Sequence, residues 1–173
     1  MNVALTLLLI QGFLGACDTL WYHEYQQRLP ARKTGKCELQ LHASRDFAYA
    51  VLFGSLGWVT WGGRFAWVLF GLLAAEILIT LWDFVEEDLR RPLPAGERVM
   101  HTIMAIVYGA FLANFLPQLI RWAQESTGFT VVYYGWISWL MTGMACGVLG
   151  SGLRDLKAST ANEIFSLSEK EIV

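Results

Sequence analysis

Two glutamate–histidine pairs, Glu38 with His42 and Glu97 with His101, share one spacing, and a tyrosine follows each histidine seven residues on, Tyr49 and Tyr108. On a helix of ~3.6 residues per turn, positions four apart lie one above the other, so each pair sets a carboxylate beside an imidazole. Such oxygen and nitrogen donors bind transition metals and carry protons. Arg45 joins the first stripe, and Met104 takes its place in the second. More acids lie close by: Glu24, Asp83 and Glu86, with Asp18, His23 and Glu87 near them. Glu76 lies deeper, on the same helical face as Asp83 and Glu87. So many carboxylates together repel one another unless they are protonated or bridged by cations.

The elements that hold these residues are apolar. The chain is 55% hydrophobic and only 16% charged, against about 25% for a soluble domain, and its mean hydropathy is +0.41. Long apolar runs, Val3–Ala16, Phe47–Trp61, Phe65–Trp82, Ile103–Ile120 and Val131–Leu149, account for the shortfall. A membrane span needs roughly 20 mostly apolar residues, and many of the eight tryptophans stand near the ends of these runs, as in an interfacial belt. The expected fold is an all-α integral membrane helical bundle of five helices, about 3–28, 38–60, 65–91, 97–122 and 130–154. Turn signals divide them at Pro30 through Gly35, Gly62-Gly63, Pro92 through Gly96 and Ser126-Thr127-Gly128. Residues 1–156 form the transmembrane domain, and 157–173 a polar tail, either mobile or a short surface helix.

Lys and Arg gather on one side of this layout: Arg28, Arg32, Lys33, Lys36 and Arg45, then Arg90, Arg91 and Arg98, then Arg154, Lys157 and Lys170. The other side has Arg64 and Arg121. The positive-inside rule places the amino terminus outside and the carboxyl terminus in the cytoplasm, in a bacterial inner membrane. Leu14-Gly15-Ala16-Cys17 resembles a lipoprotein cleavage box, but no positive charge opens the segment, so an uncleaved first helix is expected. Cys17, Cys37 and Cys146 show no paired or zinc-type spacing. There is no basic stripe for nucleic acid; the partners expected are the lipid bilayer, a lipophilic substrate such as a quinol, and a homo-oligomer or membrane partner.

The first four helices look duplicated. Thr19-Leu20-Trp21 recurs as Thr80-Leu81-Trp82, Leu29-Pro30-Ala31 as Leu93-Pro94-Ala95, and the Glu, His and Tyr positions follow in the same order. Two helical hairpins, 1–60 and 65–122, thus read as parallel copies forming a four-helix bundle, with 130–154 as an extra helix. Folding each hairpin about its connection brings His42 level with Glu24 and His101 level with Glu86, to about one helical turn.

This pattern resembles the ferritin-like di-metal carboxylate proteins, in which two helices give one Glu each and two give a Glu and a His one turn apart. On that resemblance Glu24 and Glu86 match the single carboxylates, and Glu38 with His42 and Glu97 with His101 match the paired ligands, with Asp83 nearby. The family spacing is Glu-x2-His; here it is Glu-x3-His. The chain as a whole is similar to small uncharacterised bacterial multi-pass membrane proteins, which brings no function with it. The di-metal resemblance implies two iron or manganese ions, with zinc also compatible, and an oxidoreductase using oxygen on a lipophilic substrate. Arg45 would hold an anionic group. Tyr49 and Tyr108, about 10 Å deeper at 1.5 Å per residue, would pass electrons or simply pack. Two other readings stay open. His42 and His101 could ligate a b-type haem, or the buried acids could serve a non-catalytic metal or proton carrier or a subunit of a larger membrane complex. Negative charge at a helix start would by itself favour Glu38 and Glu97.

Overall fold

The computed structural model describes residues 1–26, 36–90 and 93–171, with the side chains of residue 90 and of 161–171 left aside. It is all-α with five helices. The first, α1 (Asn2–Asp18), continues as a π-helical segment (Thr19–Gln26). Then come α2 (Lys36–Leu56), α3 (Arg64–Arg90), α4 (Ala95–Ala123) and α5 (Trp136–Glu171). The expected turn from Pro30 to Gly35 lies outside the described residues, as do Arg91 and Pro92.

Among the described residues, four helical stretches are long and apolar enough to cross a membrane: Asn2–Gln26, Arg64–Leu89, Ala95–Ala123 and Trp136–Thr160. The second helix of the sequence reading is the exception. It carries Lys36, Glu38, Arg45 and Asp46 within its 21 residues. Nine of those 21 are buried, against five of 29 in α4, so α2 turns its polar groups to its neighbours rather than outward. The exterior is the apolar side: Leu78, Trp82, Ile106 and Trp139 are each more than 60% exposed, while Glu76, Asp83, Glu87 and Glu97 are at most 2% exposed. That inversion suits a chain whose surroundings are as apolar as its core.

α2 packs most closely against α5 and also against α3; α1 packs against α4; α3 meets α4, and α5 touches α1. The helices thus follow a ring, α1–α4–α3–α2–α5. Small residues permit the tight crossings. A Cβ at Gly152 would lie 3.0 Å from Asp46 Cβ, and one at Gly12 would lie 2.6 Å from Phe53 Cζ. Gly143 and Gly147, a small-x3-small pair, meet nothing within 4 Å; they line a crevice between α1, α2 and α5 instead. Leu52, Phe53, Leu69, Phe111 and Phe115, all fully buried, fill the half of the bundle away from the charged cluster.

At that far end the sequence reading misses a feature. β1 (Val59–Gly62) pairs antiparallel with β2 (Gly128–Val131), so the α2–α3 and α4–α5 connections form a two-stranded ribbon. Residues 57–60 leave the second helix, and the fifth begins at Trp136 rather than at 130. Val, Thr, Trp and Phe favour strands. Phe129 stacks on Phe65 at 4.6 Å and meets Trp61 edge-on at 5.1 Å. Gly63 turns the chain with φ +58° and donates its N–H to Trp122 O at 2.8 Å. At the other extreme α5 runs on through Glu171, taking most of the 157–173 tail into one helix.

Candidate metal centre

Four helices contribute side chains to one buried cluster at the end of the bundle where α2 and α4 begin. Glu38 and His42 come from the first turns of α2, and Glu97 and His101 from those of α4. α3 gives Asp83 and Glu87, one turn apart near its end. The first helix gives Asp18 and His23, and here local structure decides the outcome. Five residues separate them, which on an α-helix would turn them away from each other. The π-segment, with its i→i+5 pattern, adds a residue to the turn and realigns them, leaving His23 Nε2 3.3 Å from Asp18 Oδ2.

The same extra residue accounts for the fate of Glu24. It points out of the cluster and pairs with Arg154 of α5. Glu86 stays half-buried, and its neighbour Glu87 takes the inward position at 1% exposure. The level-for-level mirror within each hairpin is therefore replaced by pairing between hairpins, because α1 lies against α4 and α2 against α3. His42 Nε2 is 3.1 Å from Asp83 Oδ2 on α3, and His101 Nε2 is 3.2 Å from Asp18 Oδ2 on α1. Of the residues singled out in the sequence, Glu38, His42, Asp83, Glu97 and His101 are brought together; Asp18, His23 and Glu87 belong with them.

Glu87 sits at the centre. Its carboxylate oxygens lie 3.9 Å from His23 Nε2, 3.9 Å from His42 Nε2 and 3.7 Å from His101 Nδ1. Glu97 Oε1 is 3.8 Å from His23 Nε2. Two overlapping groups result, His23 with Glu87, Glu97 and His101, and His23 with Glu38, His42 and Glu87. Within each, one donor atom per residue lies within 4.8 Å of all the others. The His23 and His42 rings meet edge-on at 4.5 Å, and the His23 and His101 centroids are 6.5 Å apart. Phe84 stacks on His101 at 5.0 Å and covers that side.

Burial raises the electrostatic stake. Asp18, His23, Glu38, His42, Asp83, Glu87 and Glu97 are all at most 4% exposed. Arg45 Nη1 donates to Asp83 Oδ2 at 3.1 Å. Among the described residues the cluster sets five carboxylates beside the Arg45 guanidinium and three imidazoles, a set rich in acid. Asp18 Oδ1, Asp83 Oδ1 and His23 Nδ1 are buried and accept or donate no hydrogen bond. Polar atoms left in that condition inside a protein are costly, and a bound cation is one way to satisfy carboxylate oxygens and imidazole nitrogens.

Deeper in the bundle the Tyr49 and Tyr108 rings meet edge-on at 6.2 Å. They line a cavity of about 280 Å³ that also touches Gln11, Arg45, Glu76 and His101. Thr80 donates its hydroxyl to Glu76 Oε1 at 3.0 Å. His23 and Asp18 are the residues that spacing alone undervalues; an acid and an imidazole at the end of the apolar first run are the available signal. Comparison of the chain with protein-family descriptions, with curated proteins and with solved structures finds no match.

Proposed function

We propose that the chain is an integral membrane protein whose cluster binds two iron or manganese ions and that it oxidises a lipophilic substrate with dioxygen. The observation that carries this reading is the pair of four-residue donor groups sharing His23 and Glu87. Two ions would each take one Glu–His pair, Glu38 with His42 or Glu97 with His101, with Glu87 between them, the ligand logic of di-metal carboxylate bundles. The acid-rich donor set supports it as well, since buried carboxylates beside neutral imidazoles, the form in which histidine ligates, favour divalent cations. Carboxylate and imidazole donors suit iron or manganese, with zinc also compatible.

The metal pair would supply one-electron redox steps and a place for dioxygen. The protein's own residues do the rest. Arg45 orients Asp83, Asp83 faces His42, and Asp18 faces both His23 and His101. Such outer carboxylates fix ring orientation and raise ligand basicity. Phe84 stacks on His101 and covers that side of the site. Reduction of one dioxygen to two waters takes four electrons and four protons, so two two-electron substrates are consumed per turnover.

A haem between His42 and His101 is less well supported, since the His23 ring and Glu87 occupy the space against both imidazoles. The Lys and Arg asymmetry supports an orientation with the cluster at the cytoplasmic side of the membrane. Elemental analysis of gently purified protein, with Glu38→Ala and His101→Ala beside it, tests the proposal. About two iron or manganese per chain, lowered in both variants, is the expected result. Metal-free wild type, or variants at full occupancy, would overturn it.

A further inference from the structure

We propose that the cavity between α3 and α4 is the binding site for the ring of a quinol, an aromatic diol on an apolar tail. This inference rests on the di-metal reading for its chemistry, but the site is argued from its own lining. Three buried polar atoms converge there, none in a well-formed hydrogen bond: Tyr108 Oη, which faces the Glu76 carboxylate, Glu76 Oε2, and Gln11 Oε1 beside Tyr49. Glu76 is 2% exposed and Gln11 6% exposed, and otherwise the lining is mostly apolar. Orphaned polar atoms in a dry pocket ask for a ligand that brings hydroxyls or carbonyls of its own.

The three atoms state what those groups must do. Glu76 Oε2 and Gln11 Oε1 accept hydrogen bonds from ligand O–H groups, and the Tyr108 hydroxyl donates to a ligand oxygen. A six-membered ring bearing oxygens on opposite edges meets both demands, and a cavity of about 280 Å³ holds one such ring with its tail outside. The wall gives the tail a way out: Leu81 is 55% exposed, and Gly109 on the facing helix has open space where a Cβ would stand. The inner end of the cavity touches His101, a member of the metal cluster, and Arg45. Oxidation of the ring breaks two O–H bonds and forms two carbonyls. Two electrons leave toward the His101 end, and two protons are released, with Glu76 placed to accept the first. Dioxygen is the final oxidant, at two quinols per dioxygen and two waters formed.

Equilibrium binding of decylubiquinol to the purified full chain without oxygen, with metal content measured on the same sample, tests this. One saturable site per chain is expected. Tyr108→Phe and Glu76→Gln should each weaken it about tenfold, the usual effect of one buried hydrogen bond. Gly109→Leu, which places a side chain in the cavity mouth on a helix that accommodates it, should abolish saturable binding while leaving metal content unchanged. Wild-type protein that carries two metals but shows no saturable site would overturn the quinol inference and leave the metal centre standing. Binding by metal-free protein that is lost in Gly109→Leu would support the cavity and overturn the metal centre. Variants that bind like wild type would overturn the cavity assignment.

Discussion

Replacing Glu87 with glutamine should empty both halves of the proposed centre at once. Glutamine keeps the volume and one oxygen but not the charge, so the cluster loses one negative charge at the position both ions would share. Glu87 belongs to both donor groups, whereas Glu97 and His101 belong to one, and Glu38 and His42 to the other. Substituting an outer-sphere partner costs roughly 10–100-fold in metal affinity; losing a carboxylate shared by two ions should cost about 100-fold or more at each. After exhaustive gel filtration, occupancy should therefore fall from about two per chain to nearly none in Glu87→Gln. It should fall to about one in His42→Ala and to about one in His101→Ala. Plasma mass spectrometry counts the metal, and circular dichroism checks that the helices remain. Glu87→Gln protein that keeps two metals, or keeps one while both histidine variants lose everything, would refute the shared position of Glu87.

The rest of the fold carries further expectations. Glu24→Gln should keep both metals, since Glu24 pairs with Arg154 away from the cluster; elemental analysis checks it. Gly63→Ala should destabilise the fold by more than ~2 kcal/mol, because φ is +58° and a Cβ would lie 2.7 Å from Thr127 N. Gly135→Ala, at φ +63° with nothing within 4 Å, should cost only about 1 kcal/mol. Thermal unfolding in one detergent separates the two. Phe53→Ala, a fully buried ring packed against Gly12, should cost about 3–5 kcal/mol by the same assay.

Much of the layout is readable in the chain because apolar runs of span length can be little else. The Glu38, His42, Glu97 and His101 positions are legible for a similar reason: a carboxylate and an imidazole one turn apart must share a face wherever the helix is regular. Glu24 and Glu86 each stand one residue from a side chain that faces the cluster, His23 and Glu87. A single step is 100° of helical rotation, and hydropathy does not fix rotation that finely. In the first helix a π-segment, which no residue type announces, brings His23 inward and sends Glu24 toward α5. In the third, Glu86 and Glu87 are chemically alike, and only packing against α2 and α4 chooses between them. The partners of the histidines depend on which helices become neighbours, and α5 lying against both α1 and α2 is not encoded in either hairpin alone. The β1–β2 ribbon joins four-residue segments more than 60 positions apart, too short for periodicity to register.

Glu87 stands between two metal ions in this reading, with His23 beside it. Anomalous diffraction at the iron or manganese edge tests it most directly. Two peaks roughly 3.5–4 Å apart, flanked by the Glu38–His42 and Glu97–His101 pairs, are the predicted result. Density for the eight cluster side chains with no anomalous peak among them, in protein purified without chelator, would contradict it.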